Sequence, residues 1–413
     1  MVICDQISFF TNIREHHTMQ QMQLLHEILL NSRAVKHKSR LSSLLAAVES
    51  VSQGADLSLT SLGRHMQKAI KPRSKIQEIN YLLNNGQLHN ERLSIYAAVN
   101  RWIIGHEKLL YIAIDWSTIV AHKQHLLRAS LVRKGRCMTV YEEIHAEEKL
   151  GTGEVHQKFL SNLKQVLPEE VDICLIVDAG FKTDFFIQVQ ASDWDYLARV
   201  LSNMHYTPHD EKQWEPCTNL YEKATEEPHA IGRVTLAKSN QVDSRLYLYK
   251  KVKEDTQEGK EIRIRKIKYG KKDKEYRNSA KKPWLIASSL DLPAEKIMAI
   301  YRKRMKIEHD FRDTKDPRWG LGIRESRTTD PTRLSLQLLI GFLAAFILWL
   351  IGLCLEKKGL HRDFQANSIK HKRVLSLIFL SLEAIRSGYM KFISMIDLLE
   401  IKKEGLHDAI LCD

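Results

Sequence analysis

Two aspartates close apolar runs that read as buried strands: Asp115 ends LLYIAID (109–115), and Asp178 sits in DICLIVDAGF (172–181). A carboxylate at the C-terminal end of an interior strand is held rigidly at the rim of a sheet, where ligands commonly bind. If the two strands are neighbours, Asp115 and Asp178 stand side by side. Two close carboxylates repel strongly, and a divalent cation is the usual resolution. Oxygen ligands without His or Cys favour Mg²⁺ or Mn²⁺ over zinc. The competing reading is that each Asp caps the helix that follows it.

A third group lies on a helix expected from about Pro293, which suits a first helical turn, to about Asp316, where Pro317 disfavours its continuation. On it, Tyr301, Arg304, Glu308 and Lys315 sit at offsets of 0, 3, 7 and 14. At about 100° per residue these fall within an arc of roughly 60°, one stripe of one helix. Glu308 could supply a third oxygen ligand, with Arg304 and Lys315 gripping phosphates on either side. The same residues could equally be an exposed face with an i,i+4 Arg–Glu pair, worth a few tenths of a kcal/mol.

Tyr-x2-Arg-x3-Glu-x6-Lys resembles the signature of the DDE transposases of the insertion sequence 4 family, and all four positions match. The context agrees: AIDWS around Asp115, VDAGF around Asp178, and a long insertion before the glutamate helix. TSLGRHM, HNERLSIY, KRMKIEHDFRDTK and RDFQANSIK carry the likeness over essentially the whole chain. The resemblance implies a ribonuclease-H-like catalytic domain with Asp115, Asp178 and Glu308 as catalytic metal ligands. Such a triad holds two Mg²⁺ ions, or Mn²⁺ as substitute, about 4 Å apart on one phosphodiester. It also implies a cut-and-paste DNA transposase that hydrolyses phosphodiesters, forms hairpins and transfers strands at transposon ends. Tyr301, Arg304 and Lys315 would then contact DNA phosphates near the scissile bond. Trp284, 17 residues before Tyr301, would stack on a base flipped from the end; the competing reading is a core tryptophan beginning a strand. The implied partners are double-stranded DNA (terminal inverted repeats and target) and a second copy of the chain in a synaptic homodimer. The implied place is the bacterial cytoplasm, at the nucleoid. Transesterification needs no ATP, and the sequence carries no GxxxxGK followed by Ser or Thr.

The elements that must position these residues read as a mixed α/β sheet covered by helices. LLYIAID, LLRASLVR (126–133) and CMTVYEE (137–143), with a Lys134-Gly135-Arg136 turn, suggest strands in hairpins. A helix follows from about Val155 to Leu167, then the Asp178 strand, a helix from about Asp184 to Gln190, and the strand DYLARV (195–200). Residues 201–283 read as a β-rich insertion, with RVTLAKS and SRLYLYKK as its strands. The expected organisation is a helical DNA-binding domain at 1–105, in which Thr60 or Ser61 caps a short helix, and a catalytic core at 106–333. A helical region at 334–413 would complete that core and serve dimerisation. Within it, Leu334–Leu355 holds 22 residues without a charge, long enough to span a membrane or to form a helix apolar all round inside a soluble domain. The family resemblance favours the second, a helix packed on the catalytic sheet, and no membrane partner.

The chain has 413 residues, 63 Lys and Arg against 50 Asp and Glu, and a net charge of +13. That composition excludes intrinsic disorder and a collagen-like fibre, and favours a polyanionic partner. The surplus is clustered. Lys36–Lys75 holds eight basic and two acidic residues, and Lys250–Lys282 holds 14 and six. The cysteines, Cys4, Cys137, Cys174, Cys217, Cys354 and Cys412, are scattered singly, which leaves no zinc ribbon or CxxC motif and suits a reducing compartment.

Overall fold

The computed structural model describes residues 20–119, 123–133, 136–209, 211–250, 282–366, 368–369 and 372–403. Cys4, Cys412, Lys134, Gly135 and the basic run between Lys250 and Lys282 (those two ends apart) lie outside the described residues. The chain divides into two compact units, residues 106–312 and residues 20–105 together with 313–403. The stretch 313–333 and the C-terminal helices therefore group with the N-terminal helices. Read from sequence, 313–333 fall in the catalytic core and 334–413 form a separate helical region completing it. The helical unit begins with α1 (Gln20–Asn31), α2 (Lys38–Ser52), α3 (Leu59–His65), α4 (Pro72–Leu83) and α5 (Gly86–Ile104). The cap of α3 is Ser58, whose hydroxyl accepts the Ser61 amide; the side chain one residue before the first helical turn is the one that can reach an orphan N–H.

In the sheet unit, the first strands are β1 (Leu109–Ile119), β2 (Gln124–Val132), β3 (Cys137–Ala146), β4 (Asp172–Val177) and β5 (Asp195–Arg199). β2 runs antiparallel to β1 and β3, while β4 runs parallel to β1, and β5 parallel to β4. The parallel steps need crossovers, which α6 (Gly153–Val166) and α7 (Thr183–Gln190) supply. β1 continues past Asp115 to Ile119, because β2 pairs with it through Ile119↔Gln124. The insertion is part of the same sheet rather than a module apart. β6 (His205–Pro208), β7 (Glu215–Pro216), β8 (His229–Leu236), β9 (Val242–Tyr249) and β10 (Trp284–Ser288) extend it, in the order β3-β2-β1-β4-β5-β10-β9-β8-β6-β7. The order of the first five strands gives a ribonuclease-H-like mixed α/β fold with a β-rich antiparallel extension.

The helix expected from Pro293 to Asp316 is interrupted. α8 (Ala294–Arg302) passes through a 3-10 turn at Lys303–Met305 into α9 (Lys306–Lys315). The single continuous stripe from Tyr301 to Lys315 is thus corrected: a 3-10 turn advances about 120° per residue, not 100°, and shifts everything after it around the axis.

The helical unit is completed by α10 (Pro331–Lys357), α11 (Leu377–Arg386) and α12 (Met395–Lys403). α10 is long and apolar enough to cross a membrane, yet it is buried within its unit against α2, α5 and α11. Tyr96 stacks obliquely on Phe342 at 4.5 Å, and Trp102 meets Phe346 edge-on at 5.3 Å. Buried Gln337 donates to the Leu57 carbonyl at 2.8 Å and accepts from Ser326 Oγ at 3.0 Å. Where α10 meets the start of α11, a Cβ on Gly352 would lie 2.7 Å from the Leu377 carbonyl oxygen, so only glycine lets the two backbones approach this closely.

Candidate active site

The parallel register of β1 and β4 ends at Ile114↔Val177. Asp115 and Asp178 are the next residue on each strand, so the sheet sets the two carboxylates side by side. Residues 110–114 and 173–177 are apolar and buried, which fixes the backbone under each carboxylate. Neither Asp caps a helix. Asp115 Oδ1 accepts its neighbour's amide, Trp116 N, at 2.8 Å, and Asp178 Oδ1 accepts Gly180 N at 2.7 Å, while α7 starts only at Thr183. Burial, then the Asp178 charge, pushes the Asp115 carboxyl up from 3.8 to about 6, against the pull of Arg304. Burial and the Asp178 charge together outweigh Arg304 at this carboxyl.

Arg304 comes from the 3-10 turn. Its Nη1 donates to Asp115 Oδ2 at 2.9 Å, and its Nε is buried without a hydrogen-bond partner. Tyr301, one turn earlier, is 4% exposed, and burial pushes its phenol up to about 12. Trp284 opens β10 half-buried and meets Tyr301 edge-on at 5.4 Å and Tyr249 at 6.0 Å. A side-chain hydrogen bond between Tyr301 and Arg304 joins Trp284, Tyr301, Arg304 and Asp115 into one chain of contacts. Glu308 is exposed in the first turn of α9, and its charge acts on Arg304. Among the described residues no three His, Cys, Asp or Glu side chains are grouped closely enough to hold an ion. Lys315, the last residue of α9, is buried and belongs to the helical unit.

A ring behind the acidic pair carries further residues that the sequence had not singled out. Trp116 Nε1 donates to His156 Nε2 at 3.2 Å, and the His156 ring stacks on Phe181 at 5.1 Å. One α6 side chain thereby braces the residue after Asp115 and the loop after Asp178. Burial, and next the neighbouring His145, pushes His156 down from 6.5 to about 4, so it is neutral at pH 7. On the other side, β2 places Arg128 directly across from Asp115 in register, and β3 places Glu142 across from Arg128. Arg128 is 1% exposed and gives both Nε (2.8 Å) and Nη2 (2.5 Å) to Glu142 Oε2. An arginine in LLRASLV is the signal that was present in the sequence, since a buried guanidinium must find an acid.

The acidic pair fits a divalent cation: hard oxygen donors, adjacent on rigid strands, with their mutual repulsion incompletely offset by Arg304. Asp115 and Asp178 would hold it directly, and Glu308 could join as a third ligand from α9. Residues 108–347 match the family model described as Transposase DDE domain. No curated protein matches the chain.

Proposed function

The chain belongs to the family of transposases with a DDE domain, and on that premise we propose that it is a metal-dependent DNA nuclease and strand transferase that moves an insertion sequence by cut-and-paste. DNA is its substrate, as for the family. The observation that carries the reading is the acidic pair, Asp115 and Asp178, adjacent in register and underneutralised. Asp115, Asp178 and Glu308 are the proposed catalytic triad and ligands of Mg²⁺, or of Mn²⁺ in its place. Bound there, the ion would supply Lewis acidity to a phosphoryl oxygen and a more acidic water.

The protein groups do the rest. Each step exchanges one P–O bond for another: water opens the strand at the transposon end, and the freed 3′-hydroxyl attacks the opposite strand to leave a hairpin. Water reopens the hairpin, and the 3′-hydroxyl then joins target DNA. Arg304, with Tyr301 and Lys315, takes the phosphates flanking the scissile bond, and Trp284 stacks on the base that leaves the helix when the hairpin forms. Within the family, the motif spacing resembles the insertion sequence 4 group, and stretches such as TSLGRHM resemble the transposase of the bacterial tetracycline-resistance transposon. Residues 1–105 are the proposed end-binding domain, and 334–413 the proposed contact for a homodimer. The bacterial cytoplasm, at the nucleoid, is the proposed place of action. The test incubates pure protein with an end-bearing DNA fragment in Mg²⁺, beside Asp115→Asn. Excised, hairpinned or joined products that vanish in the variant are expected. DNA binding without any cleavage in Mg²⁺ or Mn²⁺ would leave an end-binding regulator instead.

A further inference from the structure

Glu308 is the one proposed ligand that does not come from the sheet, so something must fix the helix that carries it. α9 is fastened to the β2–β3 hairpin by Asp310, two residues on from Glu308. Its Oδ2 accepts Ser130 Oγ from β2 at 2.6 Å and Thr139 Oγ1 from β3 at 2.9 Å. Arg128 Nη1 lies 3.4 Å from its Oδ1 and the Arg128 guanidinium sits 5.0 Å over the ring of Phe311, the next residue. Asp310 is 8% exposed, and Ser130 is fully buried. A buried carboxylate is tolerated only where donors converge on it, and it is costly to displace.

Two residues along an α-helix are about 200° apart. A face pinned at Asp310 therefore turns Glu308 away from the hairpin, where it is exposed. The hairpin that receives the pin is also the neighbour of Asp115: Ser130 stands across from Ala113, and Arg128 across from Asp115. The anchor and the acidic pair share one rigid stretch of sheet.

We infer that Asp310 is a positioning residue, which sets the rotation and height of α9 on the sheet and so the approach of Glu308 to Asp115 and Asp178. The inference rests on the proposed catalytic reading of Glu308. A purely structural Asp310 would change how much protein folds and leave the behaviour of the folded fraction untouched. A positioning residue changes the affinity of the site for its ion.

The experiment measures nicking of an end-bearing DNA against Mg²⁺ concentration, and Mn²⁺ binding to the DNA-free protein by calorimetry. It compares wild type, Asp310→Ala, Thr139→Val, Thr139→Ser and Glu308→Gln. Asp310→Ala is expected to raise the half-maximal Mg²⁺ concentration and to weaken Mn²⁺ binding, each about tenfold, the scale usual for an outer-shell partner. Thr139→Val should move both in the same direction by less, and Thr139→Ser, which keeps the hydroxyl, should restore them. Wild-type Mg²⁺ and Mn²⁺ dependence in Asp310→Ala overturns the inference. If that variant does not fold, wild-type dependence in Thr139→Val does so. Glu308→Gln separates the two readings: full nicking there removes the catalytic assignment itself, whatever Asp310 does.

Discussion

Asp115 is held in the folded protein at a cost that a cation would relieve. Without divalent ions it titrates near 6 rather than 3.8. Between those values the folded state binds more protons than the unfolded state, so stability falls as pH rises. Above about 6 the whole cost is present, on the order of 3 kcal/mol. His156 has the opposite sign. Its ring stays neutral down to about 4 instead of 6.5, so the unfolded state binds more protons in that window and stability falls as pH drops. The two slopes oppose each other between about pH 4 and 6. Asp115→Asn removes one of them. In metal-free buffer the variant should be more stable than wild type at pH 7 by about 1–3 kcal/mol, and it should lose stability more steeply on acidification toward pH 4. Thermal melts across that range test this, and a variant no more stable than wild type at pH 7 contradicts the burial-and-repulsion account. The acidic pair was legible from sequence because each carboxylate interrupts an apolar run. Asp310 was not, because its partners Thr139 and Ser130 lie 171 and 180 residues away.

At the scale of elements, the strands around the site were readable because they are buried on both faces, which leaves continuous apolar runs. The break between α8 and α9 was not. Lys303-Arg304-Met305 contains neither Gly nor Pro, so no local signal announces the 3-10 turn. Helix α10 was ambiguous for a physical reason, since a core helix and a membrane span share one composition. Its contacts within the helical unit give a test. In Gly352→Ala the new methyl meets the Leu377 carbonyl at 2.7 Å, and overpacking of this kind costs about 1–3 kcal/mol. At Gly86, the first residue of α5, a Cβ meets nothing within 4 Å, so Gly86→Ala gains helix propensity, up to about 1 kcal/mol. Urea denaturation should shift the two variants in opposite directions. Equal midpoints would mean that the α10–α11 crossing is looser than its geometry indicates.

Over the whole molecule, the net charge of +13 is concentrated in particular stretches, above all Lys36–Lys75 and Lys250–Lys282. Charge that neutralises DNA phosphates releases counterions, so affinity should fall steeply with salt, by a log–log slope of about −0.9 per phosphate neutralised. Replacing the Lys and Arg residues between Lys250 and Lys282 with Gln should flatten that slope as well as weaken binding. An unchanged slope, measured by fluorescence anisotropy from 50 to about 300 mM salt, would show that this stretch does not face DNA.

The position of β10 has a consequence during synthesis. The strand sits between β5 and β9, yet it follows β9 by more than thirty residues and β5 by more than eighty. Until the ribosome has delivered Ser288, β5 and β9 each present an open, apolar edge, and the sheet is two incomplete fragments. Domains generally fold as units, in the order that translation releases them. This sheet cannot close until well over half of the protein exists, and the glutamate helix emerges only afterwards. A nascent or prematurely terminated chain therefore carries the acidic pair without Glu308. In that state it is exposed to aggregation, and it lacks the residue proposed as the third ligand of the site.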